Sequence, residues 1–122
     1  MSSQTPQKPD VSFEIFEDLD MRVARVISAP MAEGSRFPSR VIILDLGHLG
    51  QRTSVGQYAL VSEDELVGKN VIVCVNLGER KMGKYLSQAL VMGAPHPSSP
   101  ADQAQATPLL VSDDAHPGDR IF

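Results

Sequence analysis

Short apolar runs separated by turn residues dominate the pattern of hydrophobic and polar positions. The clearest run is V-I-V-C-V at 71–75, whose β-branched residues are typical of a buried strand. Similar runs predict strands at 21–27, 40–46, 51–56 and 89–92. The first of these does not alternate strictly between apolar and polar residues, which favours a bulged or strongly bent strand. The pattern therefore predicts a small all-β domain.

Two segments have helical signals instead. Ser62 stands three residues before Glu65, which is the spacing of a capping box, and Gly68 would end that helix after a short run. Apolar residues at three-residue spacing within 13–19 predict a helical turn laid over the edge of the core. Five strands with one short helix between the third and fourth are the layout of an OB-fold barrel, although other small β-barrels fit the same pattern.

The ends of the chain differ from this central part. Residues 1–11 are polar and contain two prolines, so we expect a disordered N-terminal tail. The folded domain is predicted to span 12–122, with additional terminal strands at 108–112 and 120–122. Within it, proline and serine are concentrated in 95–108, which predicts a loop or linker.

Composition limits the class of protein. A chain of 122 residues with 42% hydrophobic and 21% charged residues is expected to form one globular domain. No apolar run approaches the roughly 20 residues that span a bilayer, so no membrane insertion is expected. The N-terminus is polar and lacks the apolar segment that a secretory signal contains. We therefore expect a cytoplasmic protein.

Charge argues against binding to nucleic acid by bulk attraction, because the formal net charge is −4. Any nucleic-acid site must therefore be local. Basic side chains are indeed concentrated between positions 36 and 84, whereas the C-terminal segment is acidic. The segment from 70 to 95 combines two predicted strands with a turn that holds Arg80 and Lys81, and Ser87 and Gln88 stand at the entrance to its second strand. This turn is a candidate binding loop or an ordinary solvated hairpin turn.

Chemistry for catalysis or metal binding is not visible in the sequence. The one cysteine, Cys74, lies within the 71–75 run and is expected to be a buried core residue. The three histidines stand far apart, without the spacing of metal ligands. We find no nucleophile with a base, no carboxylate pair and no glycine-rich phosphate loop. We therefore expect no catalytic residue, metal or cofactor, and hence not an enzyme.

Five ordered segments carry a resemblance to a known family. They are F-E-D-L-D-M-R-V-A-R-V, R-F-P-S-R-V-I-I-L-D-L-G, E-L-V-G-K-N-V-I-V-C-V-N-L, R-K-M-G and S-Q-A-L-V-M-G. The segments lie between positions 16 and 93, and the resemblance as a whole runs over about 13–122. The chain resembles the tRNA-binding-domain family, which comprises the OB-fold module at the C-terminus of some methionyl-tRNA synthetases, free-standing tRNA-binding proteins and CsaA-type export chaperones.

The resemblance implies a homodimer of OB barrels that binds tRNA, or other structured RNA, by shape rather than by sequence. The apolar residues at both ends of the chain independently suggest a partner surface. Exposed Arg and Lys side chains would contact phosphates, and polar side chains would donate to sugar or base edges. The predicted RNA-binding residues are Arg36, Arg52, Ser54, Asn76, Arg80, Lys81, Ser87 and Gln88.

A second function remains open, because the same family includes chaperones. An apolar cleft could hold an extended segment of an unfolded preprotein, and methionine would adapt to varied side chains there. Aromatic residues of this cleft could instead stack on a base. The candidates for these roles are Phe37, Tyr58, Leu77, Met82 and Tyr85.

Overall fold

A computed structural model describes residues 5–122, in which strands make up most of the regular structure. The strands are β1 (Met21–Ser28), β2 (Arg40–Asp45), β3 (Gln51–Gly56), β4 (Asn70–Cys74), β5 (Arg80–Met82), β6 (Tyr85–Ser87), β7 (Leu90–Val91), β8 (Gly93–Pro95), β9 (Ala106–Pro108) and β10 (Leu110–Val111). The α-helices of these residues are α1 (Phe13–Asp18) and α2 (Glu63–Leu66), and both are short. The all-β class predicted from the sequence is confirmed.

The main sheet is antiparallel and has the order β10-β4-β1-β2-β3, with β7 also paired to β4. The register between β1 and β2 shifts between Val26 and Ser28, which confirms the irregular first strand. The sheet has six strands, because β7 and β10 pair with different parts of β4. The five-stranded OB barrel therefore stays a prediction.

The core is filled by apolar side chains from the main sheet and from α2. Ile42, Leu44 and Leu66 are among its fully buried members. The capping box of α2 is present as predicted, since Ser62 Oγ accepts from the Glu65 N–H and the Glu65 carboxylate accepts from the Ser62 N–H. This short helix is thus fixed at its first turn and covers one end of the sheet with Leu66.

Helix α1 forms where the sequence predicts it, but its predicted packing over the core edge is wrong. All of its residues are exposed, with Phe13 at 71%, and Phe13 and Phe16 contact mainly each other, with ring centroids 5.7 Å apart. The strands and α2 already fill the core, so no apolar surface within residues 5–122 covers this helix. A three-residue spacing identifies which side chains share a face but not what covers that face.

The segment 95–108, predicted as a loop or linker, runs from the end of β8 to the end of β9. Strand β8 pairs with β9, and the connection between them is anchored by Gln105, which is only 2% exposed. The Gln105 side-chain oxygen accepts from the Ala59 N–H at 2.9 Å, and its Nε2 donates to the Pro38 carbonyl at 2.9 Å. Because both amide groups are paired with backbone outside the segment, the hairpin is bound to the rest of the domain.

The predicted ends of the chain are shorter or less regular than expected. The strand predicted at 108–112 contains the last residue of β9 and the two residues of β10, and 120–122 contributes a single bridge, between Arg22 and Arg120. Part of the predicted disordered tail, residues 1–4, lies outside the described residues. Residues 5–11 are exposed and contain neither helix nor strand. No helix within 5–122 is both long enough and apolar enough to cross a membrane.

Cys74 provides a test of the strand register. Its side chain is 3% exposed on β4, as the sequence predicts, so a thiol reagent should modify it only after denaturation. The labelling rate with and without denaturant, followed by mass spectrometry, measures this. Rapid modification of the native protein would contradict the inward position of Cys74.

Candidate binding site

The segment between β4 and β7 is a hairpin rather than the single polar turn predicted from the sequence. Strands β5 and β6 pair with each other, and Gly83, with φ +62°, lies in the turn between them. A positive φ favours glycine, because a Cβ would crowd the backbone there. Arg80 and Lys81 consequently lie in a strand, and Lys84 lies in the turn.

Pairing within this hairpin divides the predicted basic site between two faces. Arg80 lies opposite Ser87, whereas Lys81 lies opposite Leu86. Because successive side chains of a strand point to opposite faces, Arg80 and Lys81 do not share one. The face of Arg80 also carries Met82, and both Lys81 and Leu86 are exposed on the other face.

Ser87 and Gln88 join this hairpin segment to the edge of β3. The Gln88 N–H donates to the Thr53 carbonyl at 2.7 Å, and the Thr53 N–H donates to Gln88 Oε1 at 3.1 Å. The Val55 N–H donates to Ser87 Oγ at 3.0 Å. Since β3 is the outermost strand of the main sheet, these bonds bring its edge against the chain that enters β7 and so close the sheet.

An open groove of about 710 Å³ lies beside this junction. Its walls come from β3, from the turn of the β5–β6 hairpin, from β7, from the 33–39 loop and from the β8–β9 hairpin. Most side chains on its walls are apolar. The groove brings together five of the predicted site residues, namely Arg36, Phe37, Ser54, Tyr58 and Met82.

Tyr58 is part of the core at the base of this groove, so the predicted role in stacking on a base is wrong. The ring is buried, and its hydroxyl donates to the Val91 carbonyl at 2.8 Å. Burial raises the pKa of Tyr58 to about 12. A Cβ at Gly93 would lie 2.6 Å from the Tyr58 hydroxyl oxygen, so only glycine allows the ring this position.

The mouth of the groove contains an ion pair. Lys84 Nζ lies 2.6 Å from Glu33 Oε1, and it also lies 5.5 Å from the centroid of the Tyr85 ring. The hydrogen bond between Lys84 and Glu33 holds the pKa of Glu33 below its ordinary value and the pKa of Lys84 above its own. Arg36 lies 5.2 Å from the Phe37 ring centroid in the same 33–39 loop.

The other predicted residues serve the scaffold or lie elsewhere. Asn76 Nδ2 donates to the Asp18 carbonyl at 2.7 Å, and its Oδ1 accepts from the Asp20 N–H at 2.8 Å, which fixes the end of α1. Arg52 donates to the Val75 carbonyl at 2.8 Å. Leu77 is exposed but is not part of the groove wall.

Arg40 is a structural residue that the sequence does not identify. Its side chain is 9% exposed and donates to the carbonyls of Ala29 at 2.7 Å, Val61 at 3.0 Å and Tyr58 at 3.2 Å. The guanidinium thus joins the residue after β1 to the turn at 58–61. Its position at the start of an apolar run is the only sequence signal, and an exposed arginine would have the same pattern.

Metal chemistry has no visible basis in the described part of the chain. Among residues 5–122, no group of three or more His, Cys, Asp or Glu side chains is arranged to hold a metal ion. The chemistry that the site offers is therefore that of exposed cations around an apolar groove.

Comparison with protein families and curated proteins gives consistent matches. The family model described as "Putative tRNA binding domain" matches residues 21–120. A methionine–tRNA ligase of Thiobacillus denitrificans is 30% identical over 120 residues, which cover 97% of this chain and 17% of that protein. A methionine–tRNA ligase of Methanoculleus marisnigri is 33% identical over 93 residues, which cover 76% of this chain and 14% of that protein. The chain thus spans less than a fifth of the length of these curated relatives.

Solved structures share the fold over nearly the whole chain. The CsaA chaperone protein from Picrophilus torridus has a TM-score of 0.81 and 24% identity, with 93% of this chain and 100% of that chain covered. A MetRS related protein from Pyrococcus horikoshii has a TM-score of 0.80 and 23% identity, with 94% and 100% covered. These likenesses establish the architecture.

The junction between β3 and Gln88 can be tested through stability. The substitution Gln88→Ala leaves the Thr53 N–H without its acceptor, and we expect unfolding to become easier by about 1–2 kcal/mol. Lys81→Ala is the control, because an exposed side chain without an ion pair among the described residues should change stability by no more than about 0.5 kcal/mol. Urea unfolding measures both, and equal midpoints for the two variants would contradict the role of Gln88 in closing the sheet.

Proposed function

The chain belongs to the tRNA-binding-domain family, and we propose that it is a non-catalytic binding module for structured RNA, above all tRNA. The observation that carries this proposal is the arrangement of Arg36, Arg80 and Lys81. All three are exposed, and none forms a salt bridge within residues 5–122. A chain with a net charge of −4 thus has three free cations on the hairpin and on the loop beside the groove. With tRNA as the ligand, we propose a cytoplasmic location.

The proposed mechanism rests on contacts with phosphates. Guanidinium and ammonium groups neutralise backbone phosphates without reading sequence, so recognition depends on the shape of the RNA. Arg36 and Arg80 approach the ligand from the groove side, and Lys81 approaches from the other face of the hairpin. Gln88 Nε2, whose contact with Glu79 is long at 3.4 Å, supplies a donor for a sugar or base edge.

The remaining predicted residues support the site from within. Ser54 is buried, and Ser87 Oγ already accepts the Val55 N–H. Arg52 and Asn76 donate to backbone carbonyls of their own chain. We propose that these four residues position the contact residues, and that RNA meets them only where their remaining polar atoms reach solvent.

We also propose that the module acts as a homodimer. Exposed apolar side chains are concentrated in α1 and at the C-terminus, including Phe13, Phe16 and Phe122, which is 94% exposed. The backbone connects both ends of the chain to the start of β1, because the Ile121 N–H donates to the Met21 carbonyl. Apolar surface of this kind is typical of a partner interface.

A second candidate function is a chaperone that binds unfolded preproteins. The observation that favours it is the apolar groove, whose walls include Phe37 and Met82. An extended peptide could place apolar side chains there, and the flexible thioether of Met82 would accommodate different ones. The two functions differ in which residues they need, since peptide binding depends on the groove and RNA binding depends on the free cations.

The double substitution of Arg80 and Lys81 by Ala tests the RNA proposal. Affinity should fall by similar factors for unrelated tRNAs, because phosphate contacts carry no sequence information. The log–log slope of affinity against salt concentration should become shallower by about one to two units. Filter binding or fluorescence anisotropy at several salt concentrations measures both quantities.

The matched control replaces Lys8 and Lys69, which are exposed cations away from the hairpin, with Ala. Unchanged tRNA affinity in the folded Arg80/Lys81 variant, or an equal loss in the control, would remove the hairpin from the RNA site. If peptide is the ligand, its binding should instead survive the loss of Arg80 and Lys81 and fail in Met82→Asp.

The dimer is tested by mass in solution. Light scattering at micromolar concentration should give about twice the chain mass of 13.2 kDa. Phe13→Asp puts a charge on the exposed face of α1 and should yield the monomer mass without loss of fold, because Phe13 contributes nothing to the core. A monomeric wild-type protein would defeat the proposal of a homodimer.

A further inference from the structure

Glu33 occupies an unusual position, because its contacts attach one wall of the groove to the other. Its carboxylate bonds Lys84 at 2.6 Å, and its backbone N–H donates to the Tyr85 hydroxyl oxygen at 3.1 Å. The two hairpin residues also contact each other, with Lys84 Nζ above the Tyr85 ring. We call these contacts of Glu33 with Lys84 and Tyr85 the clasp.

The clasp joins the hairpin to the 33–39 loop, which carries the two predicted contact residues Arg36 and Phe37. The Ala32 N–H donates to the Ser39 carbonyl at 2.8 Å and closes the base of the loop. Within 33–38, the hydrogen bonds to the β5–β6 hairpin in the described structure are those of Glu33. Arg36 and Phe37, which line the groove, therefore lie on a loop whose direct hydrogen bonds to the hairpin are those of the clasp.

The two partners of the ion pair are fully charged at neutral pH. Their contact lowers the pKa of Glu33 and raises the pKa of Lys84, so neither group is near its titration. Both side chains remain exposed to water, at 61% for Lys84 and 78% for Glu33. Such an exposed pair contributes little to stability, and another anion easily replaces the Glu33 carboxylate on Lys84.

We propose that Glu33 is an internal competitor of the RNA backbone: its carboxylate holds the place on Lys84 that a phosphate takes when RNA binds. This inference rests on the proposed RNA-binding function and adds a determinant of affinity to it. Carboxylate and phosphate oxygens accept the same ammonium donors, and the nearby free cations Arg36 and Arg80 favour the polyanion in this exchange. Displacement of Glu33 from Lys84 would then leave the Tyr85 hydroxyl as the remaining hydrogen-bond contact between the 33–38 loop and the hairpin in the described structure.

The substitution Glu33→Gln tests this inference with the full chain and bulk tRNA. Loss of the competing charge should tighten binding by about two- to fivefold, which is the scale of one exposed ion pair. The salt slope should change by less than about one unit, because Lys84 contacts a phosphate in both complexes and only the competing carboxylate is lost. In a Lys84→Met background the same substitution should give no gain in affinity.

Asp64→Asn is the matched control for a change in net charge. Asp64 is exposed in α2, and its side chain forms no hydrogen bond or salt bridge within 5–122. Equal tightening in Asp64→Asn and Glu33→Gln would attribute the effect to net charge and overturn the inference. A wild-type chain that binds tRNA with the same affinity as Glu33→Gln would overturn it too, while leaving the proposed function intact. Absence of tRNA binding in both proteins would overturn the two proposals together.

A readout without RNA examines the ion pair itself. Amine acylation, followed by mass spectrometry, should modify Lys84 more slowly than Lys81, which is exposed on the same hairpin without a carboxylate partner in the described structure. Glu33→Gln should raise the Lys84 rate to that of Lys81. Equal rates in the wild-type protein would show that the clasp does not persist in solution and would overturn the inference.

Discussion

Closure of the sheet between β3 and residues 87–88 is the interaction on which the binding site depends. Regular strand pairing does not continue along this junction, and the side-chain oxygens of Ser87 and Gln88 accept the N–H groups of Val55 and Thr53 instead. Hairpin β5–β6 otherwise forms a separate two-stranded sheet, and such a hairpin is marginally stable alone. The junction therefore determines where the hairpin turn lies, and with it the wall of the groove.

This constraint explains why several polar residues of the predicted site form hydrogen bonds that support the fold. Asn76 accepts and donates within its own chain to fix the end of α1, and Ser87 completes the hydrogen bonding of β3. An amide or hydroxyl that supports a turn has the same chemistry as one that meets a sugar edge. Residue type alone cannot separate the two roles, whereas the hydrogen-bond partners in the structure can.

Features determined by neighbouring residues could be predicted from the sequence. The capping box of α2, the bulge in β1 and the burial of Cys74 all depend on short-range patterns, and the structure has them. Gln105 and Arg40 could not be found in this way, because their partners are distant in the chain. Gln105 bonds the backbone at Pro38 and Ala59, so the position of the β8–β9 hairpin, and one wall of the groove, follows from contacts that no local pattern encodes.

The division of charge across the hairpin bears on how an acidic protein could bind a polyanion. Arg80 and Lys81 point to opposite faces, so one flat phosphate surface cannot meet both at close range. Simultaneous contact requires two stretches of backbone on either side of the hairpin, or a bend of one stretch around it. Folded RNA offers such an arrangement where helices meet, and a groove wide enough for a two-stranded β-ribbon offers it too. Because the net charge of −4 supplies no general attraction, a polyanion that meets both side chains must offer backbone on either side of the hairpin.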